Sequence, residues 1–214
     1  MHGKDLNKSD QLGSDEISDD HIIQMVKNGD KKAFGLLVRR HQKALLRMCV
    51  RLMRDATAAE DIVQESFIKA FVKIHSFEGR SSFKSWLFQI AVNTTKNKWR
   101  SHREDAVDHE QMPQMSEAAT AEKDLIKNAV AQLIAEAIET LPFRQKTALT
   151  LRIYEDLSFK EIADIMQCPY DTAKANFRHA LLKLKEQFQH DEEMAQYFTE
   201  HEPEVSAVRD INSI

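Results

Sequence analysis

Apolar residues in this chain return at steps of three and four, and that spacing leaves room for little besides helices. Phe34, Leu37, Val38, Leu45, Met48 and Leu52 fall on one such stripe, with His41 on the same line. Asp30 stands ahead of it as a helix cap, and Ser18 opens a shorter helix with Ile22, Ile23 and Val26 inward. Punctuation is sparse. Five glycines and four prolines in 214 residues are too few for the turns of a β-sandwich. No apolar run reaches the ~18 residues of a membrane span, and residues 1–20 lack the apolar stretch of a secretory signal. Cys49 and Cys168 lie far apart and make neither a C-x-x-C motif nor a disulfide framework. The chain reads as cytoplasmic, all-α and not inserted in a membrane.

The net charge of −4 hides a strong asymmetry. Residues 1–20 carry −4, 21–103 carry +11, 104–124 carry −6, 125–190 carry +1 and 191–214 carry −6. A block as basic as 21–103 repels itself unless its partner is a polyanion, and nucleic acid is the usual one. The acidic stretch 104–124 holds Met112-Pro113 and small residues without helical or strand period, as expected of a flexible linker. The expected plan is therefore a disordered acidic tail over 1–19 and a helical domain over 20–103. The linker 104–124, a second helical domain over 125–190 and an acidic tail over 191–214 complete it.

Within the first domain, Thr57-Ala-Ala-Glu60 has the form of a capping box. The helix it would open turns Val63, Phe67, Ala70, Phe71 and Ile74 inward and presents Asp61, Gln64 and Glu65 as neighbours on its other face. Acids near a helix N-terminus are favoured by its dipole, so local physics alone favours first-turn decoration over a binding face. A polar turn, His75–Ser82, follows. Ser81 or Ser82 then starts a helix with Phe83, Trp86, Leu87, Ile90 and Ala91 inward. Asn93, Lys96, Arg100 and Arg103 recur along one side of it, a basic stripe suited to phosphates. Trp99, and Phe77 beside Arg80 in the turn, add the aromatics that stacking on unpaired bases requires.

In the second domain, Ile134, Ile138 and Leu141 close a helix before Pro142, and Phe143–Asp156 forms the next. Ser158-Phe-Lys-Glu161 is another capping box, opening a short helix with Ile162, Ala163 and Met166 inward. After the turn Gln167-Cys168-Pro169, a helix from about Tyr170 to Phe188 buries Ala173, Phe177, Ala180, Leu181 and Leu184. A short helix, a three-residue turn and a longer helix make a helix-turn-helix. The face opposite that core holds Thr172, Ala175, Arg178 and His179, flanked by Lys174 and Asn176. Arg can read guanine, Asn adenine, and small methyls the thymine methyl.

Together and in order, these elements resemble the extracytoplasmic-function (ECF) sigma factors of the sigma-70 superfamily, over roughly Asp20–Phe188. The segment Ala59-Glu-Asp-Ile-Val-Gln-Glu-Ser-Phe-Ile-Lys-Ala-Phe71 carries most of the likeness. Gly29–Phe34, Phe83–Asn93, Leu141-Pro142 and Leu157–Ala163 support it. The resemblance implies that Asp61, Gln64 and Glu65 bind core RNA polymerase at the β′ clamp helices. It implies that Phe77, Arg80, Ser81, Asn93, Lys96 and Arg100 lie at the melted minus-ten element of promoter DNA. Thr172, Lys174, Ala175, Asn176, Arg178 and His179 would face the minus-thirty-five element, with the β flap nearby, and an anti-sigma partner would control access. Many relatives carry Thr-Val-Lys-Ser-Arg where this chain has Thr172-Ala-Lys-Ala-Asn176, a departure that bears on promoter sequence. A stand-alone helix-turn-helix regulator is the competing reading, but it has no use for the acidic face or the aromatic-basic turn. An enzyme is not expected: the nine histidines form no metal spacing such as H-E-x-x-H, and nothing requires a cofactor or metal.

Overall fold

The computed structural model describes residues 17–105 and 133–188, in two separate units. Among the described residues every regular element is helical. The tail 191–214 and most of the linker 104–124 lie outside the described residues, as does the tail up to residue 16.

In the first unit, α1 (Asp19–Lys27) is capped by Ser18, whose hydroxyl accepts from the His21 N–H, and it buries Ile22, Ile23 and Val26. Asp30 caps a short 3₁₀ turn, Lys31–Ala33, that leads into α2 (Phe34–Met53). Phe34, Leu37, His41, Leu45, Met48 and Leu52 of α2 are buried, as their spacing predicts, and Cys49 joins them. His41 is satisfied at the core edge: its Nε2 lies 2.7 Å from Asp19 Oδ2, and Arg40 pairs with the same carboxylate. That junction pins the start of α1 to α2.

α3 (Ala56–Lys73) departs from the expected cap. Asp55, not Thr57, closes its N-terminus, its carboxylate accepting from the Ala58 N–H at 3.0 Å, because Asp55 has the extended backbone that a cap needs. The buried stripe is Ala58, Ala59, Ile62, Ser66, Phe67 and Ala70, while Val63 and Phe71 are only half-buried. Small residues let α2 and α4 approach closely. Ser66 is tolerated inside because its hydroxyl donates to the Ile62 carbonyl at 2.6 Å. α4 (Phe83–Asp105) buries Phe83, Leu87, Phe88, Ala91 and Val92, with Trp86 and Ile90 half-buried.

The second unit contains helical residues 133–139 (α5), α6 (Phe143–Ile153), α7 (Phe159–Met166) and α8 (Tyr170–Phe188). α6 stops three residues short of the expected Asp156, which has φ +52° in the reversing turn. The Ser158 box is present: the Ser158 hydroxyl accepts from the Glu161 N–H at 3.3 Å, and Glu161 accepts from the Ser158 N–H at 2.9 Å. Gln167 at φ +51° makes the turn between α7 and α8. Phe177, fully buried in α8, meets Phe159 of α7 edge-on at 5.4 Å. Leu181 and Leu184 are half-buried rather than core. Lys146 of α6 is buried, and its ammonium is held by both carboxylate oxygens of Glu139 at 2.6–2.7 Å.

Burial pushes the Cys49 thiol up to about 12, against a smaller opposing hydrogen bond from Thr95. Burial also raises Cys168, partly offset by the charge of Arg144. At about pH 8 iodoacetamide should therefore modify Cys168 and spare Cys49 until the chain unfolds, as peptide mass mapping would show. Glu139→Ala removes one carboxylate from the buried Lys146 ammonium and should cost about 1.5–3 kcal/mol, the scale of a hydrogen bond to a charged group, read from denaturant unfolding of the full chain.

Candidate functional site

Two surfaces of the first unit and one of the second collect the side chains that the sequence marks. On α3, Asp61, Gln64 and Glu65 lie off the buried stripe, Asp61 and Gln64 exposed and Glu65 half-buried. The two acids already have cationic neighbours: Lys98 of α4 lies 3.3 Å from Asp61, and Lys69 lies 2.6 Å from Glu65. Lys69 also donates to the Thr94 hydroxyl at 3.0 Å, so α3 and α4 are linked through this face. Such exposed pairs exchange readily with other partners, since each contributes little in water.

The acidic face continues into an apolar strip that periodicity does not reveal. Ile68 is 64% exposed and Val72 is 73% exposed. With Asp61 and Glu65 they stand at intervals of four, three and four along one side of α3. An acidic start and an apolar end form a surface that matches a basic, amphipathic partner. The signal that could have found it is the stripe Ala59, Ile62, Ser66 and Ala70, small at three of its four positions, which settles the other side of the helix as core.

Phe77 is placed differently from expectation. Its ring is 6% exposed and packs on Trp86 at 5.0 Å and Phe83 at 6.2 Å. It is the floor of the turn and not a ring open to stacking on a base, because the aromatic cluster at the start of α4 offers it more apolar contact than solvent. Arg80 stands out from the turn, 85% exposed, with Nη2 2.5 Å from Glu78 Oε2. Ser81 is half-buried beside it, and Gly79 at φ +73° supplies a conformation costly for other residues. Ser82 accepts from the Ser85 N–H at 3.1 Å, so it starts α4. Along α4, Asn93 and Lys96 are half-buried and Arg100 is exposed. Trp99 is half-buried near them. The Arg103 side chain lies outside the described residues.

In the second unit, Ala175, Arg178 and His179 are exposed on α8, with Thr172, Lys174 and Asn176 half-buried at its margins. Asn176 Nδ2 donates to the Thr172 carbonyl at 2.8 Å, so part of its amide is engaged by its own helix. Cation placement on a helix that follows a tight turn is the arrangement that enters a major groove. Among the described residues no group of three His, Cys, Asp or Glu could hold a metal ion. No described helix is long and apolar enough to cross a membrane.

The Sigma-70 region 2 family matches residues 37–104, and the Sigma-70 region 4 family matches residues 131–184. The RNA polymerase sigma-H factor of Pseudomonas aeruginosa is 37% identical over 172 residues, covering 76% of this chain and 89% of that one. The ECF RNA polymerase sigma-E factor of Haemophilus influenzae is 34% identical, covering 82% and 98%. A solved structure of the sigma factor RpoE with the anti-sigma factor NepR from Bartonella quintana is similar at 26% identity. It has a TM-score of 0.59 and covers 75% of this chain and 99% of that one. Two helical units, the second a helix-turn-helix, and matches over nearly the whole of these relatives define a promoter-directing polymerase subunit. This chain belongs to the sigma-70 family of RNA polymerase sigma factors, in its extracytoplasmic-function group.

Phe77→Ala should lower the unfolding free energy by about 3 kcal/mol, because it empties a buried aromatic position. Phe77→Leu should recover much of that loss. Circular-dichroism melting of the full chain distinguishes this floor role from one in stacking, which would leave stability untouched.

Proposed function

We propose that the chain acts in transcription initiation with a division of labour between its two regions. Region 2, over 20–103, docks on the β′ clamp helices of core RNA polymerase through Asp61, Gln64 and Glu65, extended by Ile68 and Val72. The supporting observation is the face itself: acids and exposed apolar residues on one side of α3, with small buried residues on the other. A basic partner helix replaces Lys98 and Lys69 at the two carboxylates, and its apolar residues cover Ile68 and Val72.

The turn at Arg80 and Ser81 and the α4 stripe of Asn93, Lys96 and Arg100 meet the melted minus-ten element. The stripe takes phosphates, and the turn takes an extruded base. Phe77 supports that turn from beneath. Region 4, over 125–190, lays α8 in the major groove of the minus-thirty-five element, with Lys174 and Arg178 as its cationic contacts and the β flap beside it. Phosphodiester chemistry remains with the polymerase, so the chain works without catalysis of its own, in the cytoplasm. An anti-sigma protein that covers the α3 face would hold it inactive; the Bartonella relative is solved in complex with an anti-sigma factor, NepR.

The test is run-off transcription with core polymerase on genomic fragments, using the chain and its Asp61→Arg/Glu65→Arg variant. New discrete transcripts from the unaltered chain and none from the charge-reversed one are expected. A Val72→Ser/Ile68→Ser variant should bind core about tenfold more weakly in a direct binding assay, as expected for loss of two exposed apolar contacts from an interface. A chain that binds duplex promoter but never core polymerase would return the case to a stand-alone regulator.

A further inference from the structure

We infer that Lys27, a residue outside every DNA-facing stripe, positions the base-capturing turn; the inference rests on the reading of that turn as the capture site. Lys27 is the last residue of α1, and its ammonium donates to the Phe77 backbone carbonyl at 2.6 Å, across 50 positions of sequence. The bond is partly buried. Phe77 is thereby held at three points. Its ring is clamped by Trp86 and Phe83, its N–H donates to the Ile74 carbonyl at 3.2 Å, and its carbonyl accepts from Lys27.

The far side of the turn is anchored by Ser82, whose hydroxyl accepts from the Ser85 N–H at the start of α4. Between these two posts lie only Glu78, Gly79, Arg80 and Ser81. The Phe77 carbonyl, held by Lys27, is therefore at one of the two ends from which Arg80 and Ser81 project. A site that captures a base works only if its groups stand within about half an ångström of the productive geometry. Lys27 suits the task, since a cation at the end of a helix is favoured by its dipole and an ammonium can rotate a donor onto a single carbonyl. α1 is itself anchored to α2 by Asp19 with Arg40 and His41, so the ammonium is presented from a fixed support. Lys27 is a positioning residue: it acts on the base through the turn.

The experiment assembles holoenzyme from core polymerase and the full chain, as Lys27→Met, Lys27→Arg, Arg80→Ala and the unaltered sequence. Each is offered a pool of single-stranded deoxyoligonucleotides randomised over six positions, and the bound fraction is sequenced. Core affinity and thermal midpoint are measured in parallel. Lys27→Met should reduce base enrichment at the captured position about tenfold, the lower end of what one charge-assisted hydrogen bond contributes, with core affinity unchanged. Lys27→Arg should restore most of the enrichment, since a guanidinium can donate to the same carbonyl. Unchanged enrichment in Lys27→Met overturns the inference, and so does a loss matched by equal losses of core binding and thermal midpoint. If the unaltered holoenzyme enriches no base, or Arg80→Ala behaves like it, the capture reading fails and takes the inference with it. If Arg80→Ala flattens the enrichment and Lys27→Met does not, only the inference fails.

Discussion

Phe83 is the residue on which the first unit turns. It is the first residue of α4, it is buried, and it meets Phe34 and His41 of α2, Phe77 of the turn and its own neighbour Trp86. Phe34 in turn meets Phe67 and Phe71 of α3 edge-on. One aromatic cluster thus joins three helices and the turn that carries Arg80. Edge-on aromatic contacts are directional as well as apolar, so the cluster fixes angles and not merely proximity. The exposed turn of four residues follows Phe77 and is separated from Phe83 by Ser82 alone, both phenylalanines being buried in that cluster.

The same packing separates two opposite surface fields within one small domain. α3 turns small residues toward α2 and α4 and leaves Asp61, Gln64 and Glu65 outside. α4 buries Phe83, Leu87, Phe88, Ala91 and Val92 and carries Lys96 and Arg100 on its outer side. Lys98 and Lys69 stand between the two fields and pair with the acids. In the second unit, local chemistry does more of the work. The Ser158 box starts α7, two left-handed residues make the turns, and the buried Phe177 locks α8 against it, so α8 is set by caps and one ring.

The amino-acid sequence by itself determined the helices, the two-part organisation and the helix-turn-helix. These follow from spacing, caps and turn residues, which are properties of neighbours along the chain. It also located the basic stripe on α4 and the acidic trio on α3, because a period of 3.6 places residues on a face whatever packs behind it. It misplaced the cap of α3, where a nearer Asp55 outcompeted Thr57, and it put Val63 in the core where Ile62 belongs. Those two positions lie one residue, about 100° of helix, apart, and only the neighbouring helices choose between them.

Tertiary structure alone decided the rest. Phe77 reads as a stacking ring beside Arg80 until Phe83 and Trp86 are seen to enclose it. Ile68 and Val72 read as ordinary helix residues until the other side of α3 is seen to be fully occupied. The bond from Lys27 to the Phe77 carbonyl joins residues 50 apart, and no local pattern encodes a contact with a backbone atom at that distance. Periodicity reports how a helix divides its own surface. Which part of that surface is covered, and by what, is settled only when the helices meet.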